Sequence, residues 1–309
     1  MAVLCVGEVL WDVFGARELL GGAPLNFASN LKSLGHKALL FSAVGADARG
    51  SRARAAMEQR GLDLLLVATV AEFPTGTAEV VTDAEGNASY SIPRPVAFDR
   101  AELSEALLDQ IHAEKPMWIY FGTLAQTEPQ SEARLLRLLE AQPVMRRLYD
   151  INLRDGHWNL PLVQRLSQQT NLLKLNDHEA QTLWQLTHLD TPFTLEDFCR
   201  DWAEQYEIEV ICVTQGMAGC AIYAGRQLMQ FAGYRVSVAD TVGAGDAFTA
   251  AYLHGFMAGW PIERCACFAN ALGALITSRA GATPHWTIDE IEALIQEHPT
   301  TKNEQRSTT

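Results

Sequence analysis

Short apolar runs alternate with amphipathic runs along most of the chain. The apolar runs are rich in strand-forming residues, and they read AVLCVGEV, ALLFSAVG, MWIYFGT, RRLYDIN, NLLKLN and EVICVTQG. The runs between them place apolar residues at helical spacing, and they read PLNFASNLKSLG, GSRARAAMEQRG, SEALLDQIHAEK, PQSEARLLRLLEAQ, DHEAQTLWQL and TLEDFCRDWAEQY. This alternation predicts an α/β fold with a mostly parallel central sheet flanked by helices. Ligands bind such sheets beyond the carboxyl ends of the strands, so motifs that follow strands are the candidates for function.

Two segments interrupt this alternation, at about residues 11–20 and 75–99. The second reads as a hairpin, since TAEVVTD and ASYSI alternate around the turn Glu85-Gly86-Asn87. We expect the two segments to pair as a small β-sheet that projects from the main sheet. A lid over the strand ends and a surface hairpin without function both remain open. A further hairpin is predicted at CAIYAGRQLMQFAG.

The size and the tail of the chain bound its domain organisation. A chain of 309 residues fits one large α/β domain, and the sequence contains no internal repeat and no obvious linker. We therefore expect a single domain over residues 1–299. The tail 300–309, TTKNEQRSTT, is polar and is predicted to be disordered.

The charge balance limits the classes of partner. The formal net charge is −13, from 24 basic and 37 acidic residues, which argues against nucleic acid or an anionic membrane as the main partner. This negative charge does not exclude a phosphorylated ligand, because a helix N-terminus with one or two arginines binds phosphate. The opening MAVLCVGEVLWD has no basic region, and no uncharged apolar stretch of 18 residues occurs, so we expect neither signal peptide nor membrane span.

Six scattered cysteines fit a reducing compartment, so we expect a cytoplasmic protein. Cys265 and Cys267 are two apart and suggest a metal site at first. Both fall in the predicted helix IERCACFANALGALI, without a second Cys or His pair at ligand spacing. We therefore expect at least one of them to pack in the core.

The stretch DTVGAGDAF opens a predicted helix with a glycine turn. Gly243 and Gly245 permit a tight turn whose amides point one way, and the helix dipole adds to this anion hole. Asp246 is then either a helix N-cap or a base that takes a proton from a substrate hydroxyl. No Walker A pattern occurs, which makes a P-loop fold unexpected.

The stretch Lys174-Leu-Asn-Asp-His-Glu179 marks the end of a predicted strand and the start of a helix. Asn176 and Glu179 are three residues apart, so both face one side of the first helical turn. The same spacing defines a capping box. It also suits Mg²⁺, which keeps several waters and needs only one or two protein oxygens.

Polar residues alternate at Asp150, Asn152 and Arg154, at the end of another predicted strand. Alternation in a strand puts the three side chains on one face. The donor fork of Arg154 suits phosphate or carboxylate, although a surface ion pair is equally consistent with the pattern.

The amino end carries Asp12 and the glycine segment GGAPLN, which ends at Asn26. Its glycines allow close approach of the backbone, and Pro24 falls in the first turn of a helix. Asp12 and Asn26 supply fixed polar groups of the kind that sugar hydroxyls require, because an unmatched hydroxyl contact is costly.

These motifs together resemble the ribokinase-like sugar kinases of the PfkB family, and among them the bacterial fructokinases. The resemblance runs from residue 3 to about 290. It rests on GGAPLNFASNLKSLG, DINLR, KLNDHE, VTQGMAG at 213–219 and DTVGAGDAF, of which the last is the most specific. It implies a ribokinase-like fold with a small β lid, and the ATP-dependent phosphorylation of a sugar hydroxyl, with fructose as the expected sugar.

The resemblance also assigns roles to individual residues. Asp246 is the implied base, and the implied anion hole consists of the amides of Gly243, Ala244 and Gly245. Asn176 and Glu179 match the element that organises Mg²⁺ through water. The implied nucleotide contacts are Lys174, Thr214, Gly216, Gly219 and Asn270. The implied substrate contacts are Asp12, Gly22, Asn26, Asn152 and Arg154, with Arg94 of the hairpin as a lid contact. Many relatives bind K⁺ near this loop, which suggests a monovalent cation beside Asp240.

Departures from the family pattern leave the substrate open. Members that bind ribose usually carry a lysine in the glycine segment, where this chain has Ala23. DINLR also occurs in kinases of 2-keto-3-deoxygluconate, so that acid sugar is the main alternative, beside other sugars and nucleosides. Trp11, His157 and Trp158 are positions for either specificity or packing. A homodimer formed through the lid, and a non-catalytic sugar or nucleotide sensor on the same fold, also remain open.

Overall fold

The computed structural model describes residues 1–82 and 88–297. The chain divides into two compact units, Met1–Leu173 and Lys174–Thr309. The single domain expected over residues 1–299 stays a prediction. The turn expected at residues 85–87 and the tail 300–309 lie outside the described residues.

Unit 1 contains most of the strands. In chain order its elements are β1 (Ala2–Val6), β2 (Leu10–Phe14), β3 (Arg17–Gly21), α1 (Ala23–Ser33), β4 (Lys37–Gly45), α2 (Ala48–Gln59), β5 (Val67–Val70), β6 (Gly76–Thr82), β7 (Ala88–Ser91), α3 (Glu105–Glu114), β8 (Trp118–Gly122), α4 (Pro129–Ala141), β9 (Arg146–Asp150) and α5 (Leu160–Ser167). Short 3₁₀ helices occur at Ala97–Arg100 and Leu124–Gln126. Strand β10 (Leu172–Asn176) contains the boundary between the units.

The larger sheet of unit 1 is parallel, in the order β5-β4-β1-β8-β9. Its central strand is β1, where Val3 pairs with Ala38 of β4 and with Trp118 of β8. Strand β4 is buried from Ala38 to Gly45, as expected of a strand covered on both faces. Helix α1 packs on the sheet through the stacked rings of Phe27 and Tyr120, whose centroids are 4.0 Å apart. The parallel sheet predicted from the alternating pattern is confirmed.

The interrupting segments form a second, four-stranded sheet in the order β3-β2-β6-β7. Strand β2 is antiparallel to β3 and parallel to β6, and β6 is antiparallel to β7. Trp11 of β2 is 8% exposed, and its indole N–H donates to the carbonyl of Arg49 at 3.1 Å. The guanidinium of Arg52 lies 4.5 Å from the ring centroid of Trp11. The predicted pairing of the two segments is confirmed, and Trp11 has a packing role.

Unit 2 contains α6 (Asp177–Thr187), α7 (Leu195–Tyr206), β11 (Val210–Thr214), β12 (Gly219–Ala224), β13 (Gln227–Ala232), α8 (Ala244–Met257), α9 (Ile262–Thr277) and α10 (Ile288–Glu297), with a 3₁₀ turn at Gly216–Ala218. Its strands follow the order β10-β11-β12-β13, and β12 and β13 form the predicted hairpin. Cys265 lies on α9 and is 1% exposed, as expected. Burial raises the pKa of its thiol to about 11, which makes it unreactive.

Within the described residues, the pattern did not predict the strand β5, the helices α5 and α10, or the three short 3₁₀ helices. Strand β5 is four residues long with two exposed positions, so it carries little periodic signal. Helix α5 has only eight residues, and Pro161 is the second of them. Across the described part of the chain, no helix combines the length and the apolar character needed to cross a membrane.

Candidate functional site

The N-terminus of helix α8 is built by a glycine in a left-handed conformation. Gly243 is the N-cap residue, with φ 80° and ψ −6°. A Cβ placed at Gly243 would lie 2.2 Å from the carbonyl oxygen of Ala282, so only glycine fits there. Asp246 is therefore not the N-cap. It occupies the third helical position and is 8% exposed. The amides of this first turn have no acceptor inside the helix and lie at the positive end of its dipole, and that of Ala244 donates to the carbonyl of Thr241 at 3.4 Å.

Lys174 adds positive charge at the same place. It lies on β10, is 6% exposed, and its ammonium nitrogen is 3.0 Å from the Cβ position of Gly245. Glycine at position 245 thus allows the ammonium group to approach the first turn of α8. A buried ammonium group beside helix amides stabilises an anion strongly, because the local dielectric is low.

The loop before α8 is held by Asp240. Its Oδ1 accepts from the amide of Val242 at 3.0 Å, and its Oδ2 accepts from the amide of Gly281 at 3.1 Å. The amides of Ala239 and Asp240 both donate to the carbonyl of Thr277. Asp240 therefore fixes the glycine turn against the segment that follows α9. The monovalent cation expected beside it stays a prediction.

Asn176 and Glu179 form a reciprocal capping box at the start of α6. Asn176 Oδ1 accepts from the amide of Glu179 at 2.8 Å, and Glu179 Oε2 accepts from the amide of Asn176 at 2.8 Å. Glu179 is 5% exposed. Amide and carboxylate oxygens have further lone pairs, and they are the hard donors that Mg²⁺ prefers. The pair therefore fits a Mg²⁺ ion held through water.

The described residues contain no larger cluster of metal-ligating side chains. No group of three or more His, Cys, Asp or Glu side chains in residues 1–82 and 88–297 is arranged to hold a metal ion. A Mg²⁺ ion at Asn176 and Glu179 would thus depend on water and on ligand oxygens for its remaining coordination.

The turn between β11 and β12 contains the predicted nucleotide contacts. Thr214 Oγ1 donates to the carbonyl of Leu175 at 3.4 Å, and Gly216 has φ 55°. A Cβ at Gly219 would lie 2.1 Å from the carbonyl oxygen of Phe231, so this glycine permits the close approach of β13. Asn270 donates from Nδ2 to the carbonyls of Phe231 at 3.3 Å and Ala232 at 3.1 Å. The structure thus gives Asn270 a structural contact, and its adenine contact stays a prediction.

Three of the predicted sugar contacts, Asp12, Gly22 and Asn26, lie on elements of unit 1 that meet at a pair of glycines, Gly21 and Gly22. Asp12 lies on β2, and its Oδ2 is 2.5 Å from the Cβ position of Gly21 on the paired strand β3. Gly22 is the N-cap of α1, with φ 112°. Asn26 lies one turn into α1 and is 3% exposed. Asp12 and Asn26 are thus placed by elements that meet at Gly21 and Gly22.

The alternation predicted for Asp150, Asn152 and Arg154 is wrong. Strand β9 ends at Asp150, and Asn152 has φ 43°, in the left-handed region. Alternation needs an extended chain, so the three side chains do not share a strand face. Asp150 is fully buried and accepts from Tyr120 Oη at 3.4 Å, whereas Arg154 is exposed and its guanidinium donates to the carbonyl of Leu153.

The lid contact implied for Arg94 stays a prediction, and the structure gives this side chain a contact inside unit 1. Arg94 follows β7, and its side chain is 7% exposed. It forms two hydrogen bonds with the carboxylate of Asp99, one of them from Nε at 2.7 Å, and donates from Nη1 to the carbonyl of Leu124 at 2.9 Å. Burial first, and the charge of Arg94 second, lower the pKa of His157.

Three residues have structural roles that no motif predicted. Asp99 neutralises Arg94 inside unit 1, and Ala282 and Gly281 hold the glycine turn of unit 2. Asp99 has no motif around it, so no signal marks it as a partner. Gly281 lies in the short segment RAGATP, whose glycine indicates a turn but not what it contacts.

Comparison with known proteins identifies the family. Residues 5–288 match the pfkB family carbohydrate kinases. An ATP-dependent ribose-1-phosphate kinase of Halopiger xanaduensis is 26% identical, over 96% of this chain and 98% of the relative. A fructokinase of Salmonella typhimurium is 28% identical, over 85% of this chain and 87% of the relative.

A solved structure shows the same fold. A fructokinase of Xylella fastidiosa with bound ATP superposes with a TM-score of 0.83 at 22% identity, over 96% of this chain and 98% of that protein. The larger, mostly parallel sheet flanked by helices, with its small second sheet, is accordingly the ribokinase-like fold. Because the family match spans most of the sequence, the chain belongs to the pfkB family of carbohydrate kinases, phosphotransferases that act on a sugar hydroxyl.

Proposed function

We propose that the protein transfers the γ-phosphoryl group of ATP to a hydroxyl group of fructose. The observation that carries this proposal is the start of α8, where the buried carboxylate of Asp246 and the ammonium group of Lys174 lie at one glycine-lined helix N-terminus. Phosphoryl transfer asks a protein mainly to align its reactants and to neutralise charge. A base, a cation and a set of helix amides meet that demand.

In this proposal Asp246 accepts the proton of the attacking sugar hydroxyl. The hydroxyl oxygen forms a bond to the γ-phosphorus, and the bond from that phosphorus to the bridging oxygen breaks, so that ADP leaves with the electron pair. The amides of Gly243, Ala244 and Gly245 stabilise the phosphoryl oxygens, and Lys174 adds its charge. Asp246 suits the base role because a carboxylate within hydrogen-bond reach of a hydroxyl accepts its proton as the bond forms.

Mg²⁺ neutralises phosphate charge when bound, and we propose that Asn176 and Glu179 hold it through water. The capping box supports this role because it fixes both side chains in one orientation. Thr214, Gly216, Gly219 and Asn270 are the proposed nucleotide contacts. K⁺ beside Asp240 is a further proposal, supported only by the rigid loop that Asp240 holds.

Asp12, Gly22 and Asn26 are the proposed sugar contacts in unit 1. A neutral sugar suits them, since the carboxylate of Asp12 disfavours an anionic substrate. Two features support fructose: Ala23 stands where ribose-binding relatives carry lysine, and the Salmonella typhimurium relative is a fructokinase. The main alternative, 2-keto-3-deoxygluconate, would need a cation, and Arg154 with Asn152 is the candidate for that contact because its guanidinium is exposed.

The small sheet β3-β2-β6-β7 is the proposed lid, whose closure over the substrate would exclude water. Homodimerisation through its strands is part of the same proposal. None of the six cysteines, all of which lie in the described part of the chain, forms a disulfide bond, which supports a cytoplasmic location.

The test is a coupled ADP-release assay with Mg²⁺ and K⁺ over fructose, ribose, ribose 1-phosphate, 2-keto-3-deoxygluconate, tagatose and nucleosides. We expect fructose to have the highest kcat/KM, and chelation of Mg²⁺ by EDTA to abolish its turnover. A higher kcat/KM for another compound of the panel would show that this compound, and not fructose, is the substrate. Binding of a sugar without turnover of any of them would favour the non-catalytic sensor.

A further inference from the structure

A buried carboxylate outside the proposed chemistry lies behind the sugar contacts of unit 1. Glu8 follows β1, between that strand and β2, and is 4% exposed. Its Oε1 accepts from the amide of Ala23, the first residue of α1, at 3.2 Å. The preceding Gly7 packs against the same helix, because a Cβ at Gly7 would lie 2.6 Å from Cγ of Pro24. Glu8 therefore packs against the first residues of α1.

Helix α1 needs such a partner because its own sequence does not cap it. Its N-cap residue, Gly22, has no side chain, and the first turn, from Ala23 to Asn26, contains no acidic residue. Helix N-termini are usually stabilised by a side-chain oxygen at the N-cap or by acidic residues in the first turn. Glu8 supplies such an oxygen from a different part of the chain.

Gly22 cannot carry a capping side chain, since the backbone of Glu8 occupies the space. A Cβ at Gly22 would lie 2.4 Å from the carbonyl oxygen of Glu8. The close approach of Glu8 to α1 therefore requires glycine at position 22. Because glycine has no side chain to cap α1, the cap must come from another residue, and Glu8 provides it. The two residues form one structural unit.

Both proposed sugar contacts are near that unit in the sequence. Asp12 is four residues after Glu8 and packs on Gly21, and Asn26 is three residues after the amide that Glu8 binds. A shift of α1 relative to β2 would change the separation of Asp12 and Asn26. Such small displacements of binding groups reduce the affinity for a substrate whose hydroxyls need fixed partners.

We propose that Glu8 is a positioning residue for the sugar: it caps α1 from outside the helix and thereby sets Asn26 relative to Asp12. This inference rests on the proposed sugar-binding role of Asp12 and Asn26. Glu8 itself does not contact the substrate in this account.

The test compares three variants of the full-length protein. Glu8→Leu removes the acceptor, Glu8→Asp keeps the charge but shortens the side chain by one methylene, and Glu8→Gln keeps an acceptor oxygen at full length. We expect Glu8→Leu and Glu8→Asp to raise the KM for the sugar about five- to tenfold, with kcat and the KM for ATP changed less than about twofold. Glu8→Gln should restore most of the sugar KM.

Ser104→Ala is the matched control, because Ser104 caps another helix of unit 1, α3, through the amide of Leu107. It should lower stability without a change in sugar KM. If Glu8→Leu does not fold, Glu8→Asp carries the test. An unchanged sugar KM in Glu8→Asp, or a raised one in Ser104→Ala, would overturn the proposal.

Hydrogen exchange of the segment around residues 22–27 gives a readout independent of turnover. Exchange there should be faster in Glu8→Asp than in the wild type, and slowed again in Glu8→Gln. A wild-type protein that phosphorylates no sugar would refute the proposed function, while the exchange data would still decide whether Glu8 orders α1. Unchanged exchange in Glu8→Asp would overturn the inference about Glu8 by itself.

Discussion

Arg94 and Asp99 show what a single pair of buried charges does in unit 1. The carboxylate of Asp99 is fully buried, and it also accepts from the amide of Val96 at 2.9 Å. Arg94 lies over the ring of Phe98, with 4.8 Å between the guanidinium carbon and the ring centroid. The sequence suggested an arginine on a hairpin and gave no hint of Asp99. The pairing of Arg94 with Asp99 depends on how residues 94–99 fold, and no local sequence pattern predicts that conformation.

We predict that Arg94→Met destabilises unit 1. Removing one member of a buried ion pair leaves an uncompensated charge, so the free energy of unfolding should fall by about 3–5 kcal/mol. Urea unfolding measures this change. The matched control is Arg137→Met, whose surface ion pair with Glu105 should contribute less than about 1 kcal/mol. Equal losses in the two variants would contradict a structural role for Arg94.

Helix starts are the elements at which sequence and structure can be compared most directly. The pattern N-x-x-E predicted a capping box at α6, and the box is present because both partners lie within one turn of the chain. The same reasoning allowed Asp246 to cap α8, and there it is wrong. Gly243 caps that helix since Ala282, which is distant in sequence, leaves no room for a side chain. Local capping can be predicted, and long-range backbone contacts cannot.

Two glycines of this turn should respond differently to alanine. Gly243→Ala combines a left-handed backbone with a clash against the carbonyl of Ala282, and should cost about 2–4 kcal/mol of stability. Gly245→Ala meets only the flexible end of Lys174, so the fold should persist. The ammonium group must move, however, and we expect kcat to fall at least about tenfold.

Thermal unfolding and steady-state kinetics of both variants test this contrast. A Gly245→Ala protein with wild-type kcat would show that the position of Lys174 is unimportant for turnover. A Gly243→Ala protein as stable as the wild type would contradict the proposed fit of Gly243 against Ala282.

At the scale of the whole molecule, the alternating pattern predicted the architecture but not all of its parts. Parallel strands covered on both faces leave continuous apolar runs, and these runs located β1, β4, β8, β9, β10 and β11. The edge strand β5 and the helix α5 lack that signal because they are only four and eight residues long. The order of the motifs identified the family, whereas the positions of Lys174 and Glu8 depend on tertiary packing that single motifs do not contain.

The central claim is that Asp246 is the base, and kcat of the Asp246→Asn variant with saturating fructose and Mg·ATP tests it most directly. The control is Asp197→Asn, since Asp197 occupies the same third position of another helix of unit 2, α7, and lies near the surface. We predict a fall in kcat of about 10²–10⁴-fold for Asp246→Asn, with ATP affinity within about threefold of the wild type, and little change for Asp197→Asn. A kcat of Asp246→Asn close to that of the wild type would contradict the account.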